Sequence, residues 1–214
     1  MGMMYLIVGR SGSGKDHIAK ELIKQSGGKL QAVTSYTTRP QRSPDENTHI
    51  FIDIADAELI PEEEKMLKGV IGEYEYFVTP DMLQNKQIYV IEPNGLAELL
   101  SRNLPDMKYT IISVQAEAFK RKLAAEGRGS DRTLEGKRFD DRTLAEQERF
   151  DIFEHLIASR DGVVQFKKQY PNVTDVFTFY NDFNEAKAIA FAKKLVSNPY
   201  AMRQKHDNSD RIDR

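Results

Sequence analysis

Between Gly9 and Asp16 the chain reads Gly-Arg-Ser-Gly-Ser-Gly-Lys-Asp, and the apolar run Tyr5-Leu6-Ile7-Val8 leads into it. Glycines at this spacing let the backbone turn so that successive N–H groups converge on anionic oxygens. A helix N-terminus behind the turn favours the same charge. Gly9, Ser11, Gly12, Ser13 and Gly14 would form the turn, and Lys15 would reach the outer oxygens of a polyphosphate. Strand, glycine-rich loop and amphipathic stretch together point to a phosphate cradle rather than a plain tight turn. The residue after such a lysine is usually a Ser or Thr that holds Mg²⁺, and here it is Asp16. Its carboxylate either binds Mg²⁺, directly or through water, or favours the first turn of a helix through the dipole.

A second cluster follows at Ser35-Tyr36-Thr37-Thr38-Arg39-Pro40-Gln41-Arg42-Ser43-Pro44-Asp45-Glu46. Arg39 and Arg42 are three apart among hydroxyls, and a guanidinium fork matches phosphate geometry. Pro40 and Pro44 stiffen the segment and lower its ordering cost. The cluster reads either as an oxyanion clamp or as a solvated surface loop.

These residues need elements to position them. Strand-like runs occur at Met4–Val8, Leu30–Thr34, Ile88–Ile91, Tyr109–Val114 and Val173–Thr178. Helical patterns fall at Asp16–Gln25, Asp81–Asn85, Leu96–Arg102, Ala116–Ala125, Thr133–Ser159 and Asn184–Val196. Gly27-Gly28 stops the first helix, and Thr79-Pro80-Asp81 opens another with a cap, an N1 proline and an acid. Alternating strands and helices predict an α/β fold with a parallel sheet covered on both faces. Two stretches break the alternation. Residues 35–78 read as an inserted lobe with extended pieces at His49–Ile54 and Tyr74–Val78, and the charge-dense Glu126–Arg149 reads as a lid.

Composition bounds the rest. The 214 residues carry 40% apolar and 30% charged side chains, enough for one sizeable core. A net charge of −2 gives no global field for nucleic acid or an acidic membrane, so neither partner is expected. The absence of cysteine excludes disulfides and thiolate metal sites. No apolar run approaches the roughly 18 residues of a membrane span, and Met1–Met4 is too short for a signal peptide. A cytoplasmic location is the expectation. The polar segment 197–214 reads as a loose tail, and no feature sets the oligomeric state.

Thr37-Thr38-Arg39-Pro40-x-Arg42 resembles the nucleoside-monophosphate-binding signature of guanylate kinases, and the likeness continues in order. Tyr74-Glu75-Tyr76-Phe77-Val78-Thr79 is similar to the family's tyrosine-rich strand. Ile91-Glu92-Pro93-Asn94-Gly95 matches its acid-x-x-Gly, and Glu126-Gly127-Arg128-Gly129 with Lys137-Arg138-Phe139 resembles its lid. Asn181-Asp182 matches the Asn-Asp after its last strand.

The resemblance implies a three-layer P-loop NTPase fold with a five-stranded parallel core sheet, an inserted nucleotide-monophosphate lobe and a helical lid. Its core would span 1–34, 79–125 and 150–196, its lobe 35–78 and its lid 126–149, one domain over 1–196. ATP and Mg²⁺ would be required, and the partners would be small nucleotide substrates. Ser35, Arg39, Arg42 and Tyr76 would hold the acceptor phosphate, with His49 where the family has another tyrosine. Arg128, Arg138 and Arg142 would close over the transferred group beside Lys15. The family reads guanine with acids and a hydroxyl. Here Val90 replaces one acid, Glu92 remains for metal or base, Asp45 or Glu46 would face guanine, and Val78 falls near the hydroxyl position with Thr79 one place away. Glu62-Glu63-Glu64 reads as an exposed acidic turn, the alternative being that one of its acids lines the base pocket.

The expected activity is transfer of the ATP γ-phosphoryl group to GMP, dGMP or a related nucleoside monophosphate. The alternatives are a binding module without turnover and a kinase for another small phosphorylated metabolite.

Overall fold

The apolar run Met4–Val8 forms the buried centre of the molecule. In the computed structural model, which describes residues 2–41, 43–71, 73–104, 107–118 and 144–197, β1 spans Gly2–Val8. It is flanked on both sides by parallel partners: β6 (Ile88–Val90) and β7 (Met107–Gln115), with β8 (Val173–Tyr180) beyond β7. Alternation along β1 sends Tyr5 and Ile7 to one face and Met4, Leu6 and Val8 to the other. On the first face they pack with Ile18 and Leu22 of α1 (Lys15–Gln25) and with Phe191 and Leu195 of the C-terminal helix α7 (Glu185–Ser197). On the second they meet Leu96 and Leu99 of α4 (Pro93–Ser101), Phe150 and Phe153 of α5 (Leu144–Ile157) and Phe166 of α6 (Arg160–Gln169). Helices on both faces of a parallel sheet give the three layers expected.

The sheet has four regular strands, not five. Residues 30–34 make one parallel bridge, Ala32 to Ile88, with Val33 N–H donating to Ile88 O at 2.8 Å. Pairing stops there because the chain leaves the sheet at once to enter β2 (Tyr36–Thr37).

Residues 36–78 build a second sheet in the order β3-β2-β5-β4, with β3 at Ile50–Phe51, β4 at Met66–Ile71 and β5 at Tyr74–Val78. The strand expected at His49–Ile54 is only two residues long, because Asp53 caps α2 (Ile54–Leu59) by accepting from Asp56 N–H. Glu62–Glu64 form an exposed 3₁₀ turn, and Glu62 pairs with Lys65 and Lys68. The second sheet is rooted in the first core: Met66, Leu67 and Val78 pack in the same cluster as Leu6 and Ile111. Glu98 of α4 accepts from Leu67 N–H at 3.1 Å.

Helix α3 covers Pro80–Leu83 and ends before Asn85, which takes a left-handed φ of 58°. The single helix expected over 133–159 ends at Ile157, and Ser159 caps a separate α6 by accepting from Gly162 N–H. Most of the expected helix at 116–125 and most of the expected lid lie outside the described residues. Among the described residues no helix is long and apolar enough to cross a membrane.

Candidate active site

The carboxyl end of the central strand β1, where its neighbours diverge, is where open α/β sheets bind ligands. Here the chain turns through Gly9–Gly14 into α1. Gly12 (φ 74°) and Gly14 (φ 91°) are left-handed, a conformation costly for residues with a Cβ. Ser13 N–H donates to Arg10 O at 3.0 Å, and Ile18 N–H to Gly14 O at 3.1 Å. Gly14 stands at the N-cap with no side-chain cap, so the first-turn donors of α1 face outward for an anion.

The turn is pinned from the end of β8. Asn181 is buried, donates from Nδ2 to Ser13 O at 2.7 Å and accepts at Oδ1 from Phe183 N–H at 2.8 Å. A Cβ on Gly14 would stand 2.3 Å from Asn181 Nδ2, and one on Gly9 would stand 2.5 Å from Val114 O. Both glycines are therefore fixed by close approach. A cavity of about 500 Å³ opens beside the loop, lined by Gly12, Gly14, Lys15, Asp16 and Asn181 among others. Asp16 is exposed in the first turn of α1, and Glu92 is half-buried at the N-cap of α4. Among the described residues no group of three or more Asp, Glu or His gathers as a ready metal cage.

The second turn is more constrained than its sequence suggests. Arg39 is buried, its Nη2 lies 2.7 Å from Glu46 Oε1, and its Nη1 donates to Pro40 O at 2.7 Å. Its guanidinium stacks 5.1 Å from the Phe51 ring. Burial works against the Arg39 charge, but the hydrogen bond and field of Glu46, with Tyr76 adding, hold its pKa above the usual value. Nε is buried with no partner among the described residues, a donor available to an oxyanion. Ser35 Oγ and His49 Nδ1 lie 2.9 Å apart, and the His49 ring meets Tyr76 edge-on at 5.4 Å. Strand pairing of Thr37 with Tyr76 thus brings Ser35, Arg39, His49 and Tyr76 together. Of the two acids weighed for the base, Glu46 is occupied by Arg39 and Asp45 is exposed. Thr79 is buried and its hydroxyl donates to Asp81 Oδ1 at 2.5 Å. Arg42, Arg128, Arg138 and Arg142 lie outside the described residues.

Sequence reading passed over Arg10. Its guanidinium contacts Glu154 through Nε (3.2 Å) and Nη2 (3.1 Å) and Asp151 through Nη2 (2.5 Å), and it lies 5.4 Å from the Phe150 ring. The only signal in the sequence was an arginine inside a glycine-rich loop with acids at i and i+3 far downstream.

No curated protein sequence matches the chain. Its backbone is similar to the crystal structure of guanylate kinase from Anaplasma phagocytophilum, at 13% identity and a TM-score of 0.49, covering 100% of this chain and 97% of that one. Residues 1–75, the segment that holds the glycine turn and the Arg39 turn, match the guanylate kinase family model.

Proposed function

We propose that the protein is a nucleoside monophosphate kinase that transfers the γ-phosphoryl group of ATP to GMP, dGMP or a related nucleotide. The observation that carries this reading is the glycine turn. Gly12 and Gly14 are left-handed at the end of the central strand, aimed into the N-terminus of an eleven-residue helix and locked by Asn181. The family match over residues 1–75 supports the kinase class.

In this reading the loop amides and Lys15 hold the donor phosphates, and Ser35, Arg39, Arg42, His49 and Tyr76 hold the acceptor. An anionic oxygen of the acceptor phosphate attacks the γ-phosphorus in line. The bond to the bridging oxygen breaks, and ADP leaves with that electron pair. The attacking oxygen is already ionised, so no strong general base is required, and rate comes from positioning and charge neutralisation. Mg²⁺, with Asp16 and Glu92 as candidate carboxylates, would neutralise part of the polyphosphate charge. Arg128, Arg138 and Arg142 are assigned to closure over the transferred group, which would keep water from competing.

A coupled ADP-release assay with Mg²⁺ and GMP, dGMP, AMP, CMP, UMP or dTMP tests the reading. At least one should raise turnover above that with water alone, and silence with all six overturns it. The alternative of a binding module is favoured by one observation, the carboxylate of Asp16 where a hydroxyl is usual. It predicts nucleotide binding without ADP release.

A further inference from the structure

Arg10 begins the glycine turn, and its carbonyl closes the turn by accepting from Ser13 N–H at 3.0 Å. Its side chain runs away from the turn to α5. There Nε and Nη2 fork onto Glu154 and Nη2 reaches Asp151, while the guanidinium covers Phe150. Asp151 and Glu154 are three apart and share a helix face. The Arg10 side chain is 19% exposed and that of Glu154 24%, so solvent screens this pair less than a surface pair, whereas Asp151 is 71% exposed and adds a screened contact. Burial opposes its charge, yet the hydrogen bonds and fields of Glu154 and Asp151 keep its pKa above the ordinary value. Two carboxylates already neutralise this cation, so Arg10 is not one more phosphate ligand.

We propose that Arg10, Asp151 and Glu154 are positioning residues that make the phosphate loop and helix α5 one mechanical unit. The inference rests on the kinase reading above and adds how that site is organised. Phe150 and Phe153 seat α5 in the core, and Arg10 ties the same stretch of helix to the first residue of the turn. A donor phosphate that orders the loop therefore also restrains α5 through Arg10. An arginine suits this task because its planar fork can engage both carboxylates at once, which an ammonium cannot do with fixed direction.

The test uses the full chain in four forms: wild type, Arg10→Ala, Arg10→Lys, and the near-isosteric Asp151→Asn/Glu154→Gln, which leaves the loop sequence intact. Backbone hydrogen exchange is followed across residues 9–18 and 144–157, with and without Mg²⁺ and a non-hydrolysable ATP analogue. Wild type should gain protection in both segments. Arg10→Ala and the double variant should gain it in the loop alone, with ATP KM raised about tenfold and acceptor KM unchanged. Arg10→Lys should fall between. A merely structural role would lower the melting temperature without separating the two KM values or uncoupling the two segments. If folded variants keep wild-type ATP KM and protect α5 as wild type does, the inference falls and the kinase reading stands. If the analogue protects nothing in wild type, both fall.

Discussion

Arg39 and Glu46 form a largely buried ion pair, Nη2 to Oε1 at 2.7 Å, and the Arg39 guanidinium lies over the Phe51 ring. Glu46 is thus engaged by Arg39. Removing one partner strands the other charge in a dry site, which typically costs about 3–5 kcal/mol when burial is complete. Glu46→Gln should cost toward the lower end of that range in urea unfolding. A cost below about 1 kcal/mol would show that the pair is only a surface contact.

Gly14 is left-handed and stands against Asn181. Gly14→Ala should destabilise by about 1–2 kcal/mol from the backbone alone and displace Asn181 as well. Asn181→Ala should cost about 1–3 kcal/mol, since it strands Ser13 O and Phe183 N–H. Both should raise ATP KM more than acceptor KM in steady-state assays. Equal rises would contradict the placement of the donor at this loop.

Replacing Arg39 or Arg42 by alanine should act on the other substrate. Acceptor KM should rise about tenfold or more, and ATP KM should change little. Direct titration of each nucleotide separates this from loss of fold, because a folded variant must still bind ATP. Equal loss of both affinities would remove Arg39 and Arg42 from the acceptor site.

Asp16→Asn tests the metal assignment. The Mg²⁺ concentration for half-maximal turnover should rise, while stability falls by no more than about 0.3–1 kcal/mol, the usual worth of an acid in a first helical turn. An unchanged Mg²⁺ requirement would leave Asp16 with the helix dipole as its only role.

Tyr109 is fully buried in β7, and its hydroxyl has no partner among the described residues. Burial accordingly pushes its phenol pKa up. Tyr109→Phe removes an unpaired polar atom while keeping the ring, so it should leave stability unchanged or raise it by about 1 kcal/mol in urea unfolding. A loss of more than about 1 kcal/mol would mean that the hydroxyl has a bonded partner.

The parts of the fold written in local chemistry were legible from the chain itself. The run into Gly9, the stop at Gly27-Gly28 and the Thr79-Pro80 helix start all appear where sequence places them. What failed depended on where the chain goes next. Residues 30–34 have strand composition, but a strand needs a partner over its length, and β6 offers Ala32 a single bridge. Ser159 reads as the last residue of a long charged helix, yet its hydroxyl starts α6, which the pattern did not include. In the site, Ser35, Arg39, His49 and Tyr76 lie near one another because β2 pairs with both β3 and β5. The partnering of Arg39 with Glu46 and of Arg10 with Glu154 was not legible. Such pairs depend on side-chain direction and, for Arg10, on a contact across 144 residues of sequence.

Met66, Leu67 and Val78 of the second sheet sit inside the main core, whereas β2 and β3 at its far side are two residues each. The two sheets are therefore welded at one end and slender at the other. Swinging the whole second sheet would pull Leu67 from its place beside α4 and leave a hole in the core. Bending confined to the β2–β3 end opens no such hole. That end holds Ser35, Arg39 and His49, so compliance in this molecule is concentrated where the second anion site would need to adjust its grip.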